Sequence, residues 1–148
     1  MARLKFRLEA SLRLAEQAFE KTQREFAEQV RLWHACKLAC TTQRKTLLAA
    51  QEEQRDAALH HPENLGICQI FAREQQERLR QCETKQIEQE RDMEKARCNL
   101  LRAHQDVEKF RRLKEKKVKA FLLAEVQKEQ KMLDETGQIM HWLKQRLI

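Results

Sequence analysis

The sequence predicts an all-α protein: two long helices folded into an antiparallel, left-handed coiled-coil hairpin, the second helix longer and overhanging the first. Three observations carry this. Two Gly and one Pro in 148 residues leave too few turn formers for sandwiches, barrels or doubly wound sheets. Charged residues reach 36%, against about 25% in an average domain, and Ala, Glu, Lys, Leu, Arg and Gln dominate, as in long helices. Apolar and small residues recur in a 4-3 rhythm that is interrupted once.

The first helix is expected over residues 1–59. Its seam reads Leu8, Leu12, Ala15, Phe19, Thr22, Phe26, Gln29, Trp33, Cys36, Cys40, Gln43, Leu47, Ala50, Gln54 and Ala57, with no stutter. The turn is expected over 60–66. There Pro62 biases His61 away from helix, and Gly66 supplies freedom for the reversal. The second helix is expected over 67–147. Its rhythm runs through Cys68, Ala72, Gln75, Leu79, Cys82, Gln86, Gln89, Met93, Ala96, Leu100, Ala103, Val107 and Phe110. A seven-residue repeat winds left-handed around a partner. The short connection makes the other half of the chain that partner, so residues 1–148 form a single coiled-coil domain.

A bend near residue 63 sets position n against roughly 125 − n, within about a heptad. Leu8 then faces Lys117, and the residues from 118 onward have no counterpart. They still carry a stripe: Val118, Leu122, Val126, Leu133, Met140, Leu143 and Leu147. At 1.5 Å per residue the paired part spans roughly 80 Å and the overhang roughly 40 Å. One amphipathic helix cannot bury its own stripe, so the overhang frays, pairs with a second copy or docks on another protein. The seam also holds Gln75, Gln86 and Gln89, with Gln43, Ala50 and Gln54 expected opposite. Such polar layers cost stability, and they mark either loose packing near the turn or an end that opens.

The charge is local. Residues 109–119 hold seven basic side chains and one acidic, which is six of the net +7. Arg3, Lys5 and Arg7 fall at the same end of the hairpin. A basic cluster draws an anionic partner, although a solvated face with no specific partner is the plain alternative. Nucleic acid is disfavoured, because only Phe110 and Phe121 are near enough to stack and both lie on the apolar stripe.

Five cysteines, an odd number with no C-x-x-C, argue against a disulfide framework. Cys36 and Cys40 could be half of a metal site. With no His four or seven residues away on that face, they read better as small residues filling the seam. His60 and His61 share the turn and could bind a metal only adventitiously. There is no phosphate loop, no G-x-S-x-G and no H-E-x-x-H. A two-helix hairpin also offers no pocket. No enzymatic activity, cofactor, metal or small-molecule substrate is therefore expected. The basic opening lacks the apolar run of a signal peptide. No stretch approaches the roughly 20 apolar residues of a membrane span. A soluble cytoplasmic protein is expected.

The opening Phe6-Arg7-Leu8-Glu9-Ala10-Ser11-Leu12-Arg13-Leu14-Ala15-Glu16 resembles the start of the flagellar export protein FliJ family, whose relatives are the YscO-like stalk proteins of type III secretion. Arg111-Arg112-Leu113-Lys114-Glu115-Lys116-Lys117, then Phe121 and Glu129-Gln130-Lys131-Met132-Leu133-Asp134-Glu135, are similar to the family's C-terminal stretch. Ser11 departs from the family's usual aliphatic residue. The resemblance covers the whole chain. It implies a central-stalk-like coiled coil of flagellum biogenesis, acting in protein transport for motility and chemotaxis, at the cytoplasmic face of the inner-membrane export apparatus. Its implied partners are the hexameric export ATPase, whose ring it helps assemble, the cytoplasmic domain of the export-gate membrane protein, and export chaperones, which it escorts. On these residues the resemblance assigns ring binding to Arg111, Arg112, Lys114, Lys116, Lys117 and Phe121. It assigns gate binding to Gln43, Leu47, Ala50, Gln54, Leu79 and Cys82, with Ala50 and Gln54 smaller or less aromatic than the family pattern. From the residues alone, a basic coiled coil that binds nucleic acid or tethers other proteins stays open.

Overall fold

In the computed structural model, residues 3–147 are described. Helix α1 spans Glu9–His60, a 3-10 turn spans Pro62–Asn64, and helix α2 spans Leu65–Leu147. The basic residues Arg3, Lys5 and Arg7 precede α1 instead of joining it. Cations repel the positive end of a helix dipole, and no Ser, Thr, Asp or Asn is present there to cap an earlier start. The helix opens where the first acid arrives. The Glu9 N–H donates to the Phe6 carbonyl at 3.1 Å and the Leu12 N–H to the Leu8 carbonyl at 2.9 Å.

The reversal uses fewer residues than expected. The His61 N–H closes the last turn of α1 on the Ala57 carbonyl at 3.0 Å. His61 itself, with φ −137° and ψ 67°, leaves the helical region as a residue before proline should. Pro62 then starts the 3-10 turn, and the Asn64 N–H donates to the His61 carbonyl at 3.0 Å. Gly66 takes no part as a left-handed hinge. It lies in the first turn of α2, and no described glycine has positive φ. The expected role of Gly66 is therefore replaced by His61 and Pro62, whose fixed φ is enough to turn the chain.

No strand occurs among the described residues, and the two helices pack against each other as an antiparallel helical hairpin. Every seam position from Leu8 to Ala57 and from Cys68 to Phe110 is buried or half-buried, while most residues between them are exposed. The chain divides into two compact units, one of Ala18–Ala103 and one of Met1–Gln17 with His104–Ile148.

In the Ala18–Ala103 unit the seam is thin. Its most buried side chains are Cys40, Ala50, Ala57, Ala72 and Gln75. Small residues bring the helices close but bury little apolar area, so each layer contributes modestly. Two layers are polar and satisfied. The Gln43 amide donates to Gln75 Oε1 at 2.7 Å and to the Gln75 carbonyl at 3.2 Å. The Gln89 amide does the same to Gln29 Oε1 and to the Gln29 carbonyl. Gln89 thus meets Gln29, not a residue near the turn as expected. The glutamines pair instead of loosening the seam, because the Gln43 and Gln89 amides each find both a side-chain and a backbone acceptor across it.

In the other unit, Leu12 and Val107 form the apolar contact layer. Lys114 Nζ lies 3.1 Å from a Glu9 carboxylate oxygen, and Arg111 lies 3.7 Å from Glu16. The residue numbers of cross-helix partners add to 118 for both glutamine pairs, 123 for Lys114 with Glu9, and 127 for Arg111 with Glu16 and Arg44 with Glu83. All fall within a heptad of the expected 125. Beyond the Lys114–Glu9 pair α2 runs on to Leu147. Val118, Phe121 and Glu125 are half-buried, and residues 126–147 are all exposed.

Candidate functional site

The basic stretch is a continuous part of α2, so its side chains radiate around the helix and the chain sorts them by face. Arg111 is held between Glu16 and Glu108, each at 3.7 Å. Lys114 takes the seam place after Phe110 and is tied to Glu9. These two cations are about half exposed, so each pair is worth at most about 1 kcal/mol. Arg112, Lys116 and Lys117 are exposed and make no ion pair among the described residues. Of the six residues expected at the ring contact, then, three are free cations, two are tied to α1, and Phe121 is half-buried.

His104, Gln105, Glu108, Lys109, Arg112, Leu113 and Lys116 border a shallow hollow on this surface. All belong to one helix, so the hollow is a furrow between side chains and cannot desolvate a reacting group. Among the described residues no three His, Cys, Asp or Glu side chains come together as metal ligands. Among the described residues no helix is long and apolar enough to cross a membrane.

Past the furrow, α2 presents apolar side chains to solvent. Leu122, Val126, Leu133, Ile139 and Met140 are each between 56% and 67% exposed. Local contacts brace this segment. Arg146 stacks over the Trp142 ring at 4.1 Å, Lys128 pairs with Glu125 at 3.8 Å, and the Thr136 hydroxyl donates to the Met132 carbonyl at 2.8 Å. Soluble proteins seldom leave so long an apolar series uncovered, and such surfaces mark contacts with other molecules.

The six residues expected at the gate contact lie in the seam of the Ala18–Ala103 unit. Ala50 is buried, Gln43 is bonded to Gln75, and Leu47, Gln54, Leu79 and Cys82 are half-buried. Their exposed neighbours are a feature the heptad reading passed over. Leu48, Leu59, Ile67 and Ile70 are 60–77% exposed, and Phe71 is 42% exposed. The signal was present in the doublets Leu47-Leu48 and Ile70-Phe71. A seam uses at most one of two adjacent residues, so an apolar neighbour has to face elsewhere.

The Arg31 and Arg97 guanidiniums hydrogen-bond Glu28 and Glu94 one turn away and lower those carboxyls. Burial, followed by the nearby Cys82 thiol, pushes the Cys40 thiol up.

The family model described as Flagellar FliJ protein matches residues 4–146. No curated protein and no solved structure matches the chain. The match spans both helices, the break between them and nearly all of the overhang. The chain therefore belongs to the flagellar FliJ protein family and is a component of the flagellar export apparatus.

Proposed function

We propose that this chain is a stalk-like adaptor of the export apparatus that inserts its basic, overhanging end into the ring of the export ATPase and promotes ring assembly. The observation that carries the reading is the continuation of α2 past its last contact with α1, with exposed apolar residues from Leu122 to Leu147 next to the unpaired cations Arg112, Lys116 and Lys117. Apolar area supplies affinity once water is displaced. The cations steer the end toward an acidic or electronegative ring lining and raise the association rate. Arg111 and Lys114 contribute by keeping the helix pair together at that end, and Phe121 begins the apolar face.

The turn end is proposed to meet the cytoplasmic domain of the export gate. The seam residues Gln43, Leu47, Ala50, Gln54, Leu79 and Cys82 shape that end, and Leu48, Leu59, Ile70 and Phe71 offer the exposed apolar surface. Export chaperones are proposed to dock on the apolar face of the overhang when it is not in the ring. These partners place the chain at the cytoplasmic face of the membrane-embedded apparatus.

The test is Lys116→Glu with Lys117→Glu in the full chain, measured by binding to the export ATPase and by stimulation of ATP hydrolysis. Affinity falls about tenfold at low salt and less at high salt, since the charges are exposed, while helicity measured by circular dichroism is unchanged. Unaltered stimulation by this variant would remove ring insertion as the function.

A further inference from the structure

Three of the five cysteines lie in the stretch of seam bounded by the two glutamine layers. The pairs Gln29 with Gln89 and Gln43 with Gln75 are fourteen residues apart on each helix, and both add to 118. The helices therefore keep one register over this stretch. Cys36 and Cys82 also add to 118, seven residues from a glutamine in either direction on both helices. The same register sets Cys68 against Ala50, and Cys98 is exposed off the seam. Only Cys36 and Cys82 occupy one layer.

Accessibility separates this pair from Cys40. Cys36 and Cys82 are half-buried, whereas Cys40, one turn along α1, is 1% exposed. A thiol closed off in apolar surroundings is a poor nucleophile because little of it is thiolate. Burial raises the Cys40 thiol.

We propose that Cys36 and Cys82 are a dithiol site that a peroxide converts to a disulfide bridging α1 and α2. In the first step one thiolate attacks the peroxide O–O bond, giving a sulfenic acid and releasing water or an alcohol. In the second the other thiolate attacks that sulfur, the S–S bond forms and a second water leaves. The two sulfurs together give up two electrons, which the peroxide accepts. A low-molecular-weight thiol reverses the reaction by exchange. Disulfides need Cα atoms within about 4.4–6.8 Å, so forming the bridge requires α1 and α2 to reach that span at the layer the register assigns to Cys36 and Cys82. The bridge clamps the helices on the far side of the turn, so the oxidised chain cannot open its turn end.

The full chain is treated with hydrogen peroxide at low protein concentration, alkylated, and mapped by mass spectrometry without reduction. The expected product is an intramolecular Cys36–Cys82 link, with the chain lighter by two hydrogens. The midpoint of thermal unfolding rises by about 10 °C, because the closed loop constrains the unfolded chain. Cys40→Ser keeps the link, whereas Cys36→Ser and Cys82→Ser lose it and show no peroxide-dependent rise. Dichroism confirms that each variant is helical. A Cys40–Cys82 link, dimers through Cys98 as the only product, or no link in a folded chain would overturn the proposal.

Discussion

Replacing Gln43 by Leu tests the glutamine layer most directly. Gln75 is 3% exposed, and its side-chain oxygen accepts from the Gln43 amide at 2.7 Å. Gln43→Leu leaves that oxygen buried without a donor, at a cost of about 1–3 kcal/mol. The new Leu is half-buried and recovers about 1 kcal/mol, so the net loss is about 1 kcal/mol. Gln75→Leu is milder. The Gln43 amide keeps its 3.2 Å bond to the Gln75 carbonyl, which the substitution does not remove, and a buried Leu offsets the lost bond. The double variant strands nothing and buries two apolar side chains, so it exceeds the wild type by about 2 kcal/mol. The coupling between the sites is therefore about 3 kcal/mol. Urea titrations and thermal melts of all four chains, followed by dichroism at the helical band, measure it. The Gln43→Leu midpoint falls by roughly 3 °C and that of the double variant rises by roughly 5 °C. If the single effects add to within about 0.5 kcal/mol, the glutamines are not a pair and the register argument fails with them.

Leu47→Asp puts a charge on a half-buried seam position. It lowers stability by about 3 kcal/mol and weakens binding of the gate domain, and normal gate binding would show that the turn end is not the contact. Leu59→Glu with Ile70→Glu changes residues 77% and 63% exposed. Stability stays within about 0.5 kcal/mol, so a loss of gate affinity reports on the surface itself. Cys40 supplies a pH test. Its folded thiol titrates above the ordinary value of 9.0, so the folded chain retains a proton that the unfolded chain has released. Its contribution is complete below pH 9 and is lost as pH rises through the folded value. The wild-type melting temperature thus falls more steeply above pH 9 than that of Cys40→Ser, and identical slopes would refute the assignment.

The heptads were legible because helical periodicity is local: each seam residue from Leu8 to Phe110 declares its face by its spacing to the next. The overhang followed from counting residues on each side of Pro62. Harder to see was the use made of individual side chains. The run from Lys109 to Lys119 reads as one block of charge, yet Arg111 and Lys114 are occupied by Glu16, Glu108 and Glu9. Glu9 and Glu16 lie about a hundred residues away in sequence. Likewise the six seam residues expected at the gate are turned inward, and the exposed apolar surface at the turn end belongs to their neighbours.

Composition and spacing alone determined that this chain is helical, that it reverses once and that its second helix is the longer, since each rests on interactions between residues a few positions apart. Only the tertiary structure decided which glutamines bond to each other, which cations remain free and which cysteines share a layer. Those depend on the register between two helices to within one residue. The heptad pattern repeats every seven residues and looks alike at each repeat, so register is set by particular hydrogen bonds across the seam and by the few residues from His61 to Asn64 that turn the chain.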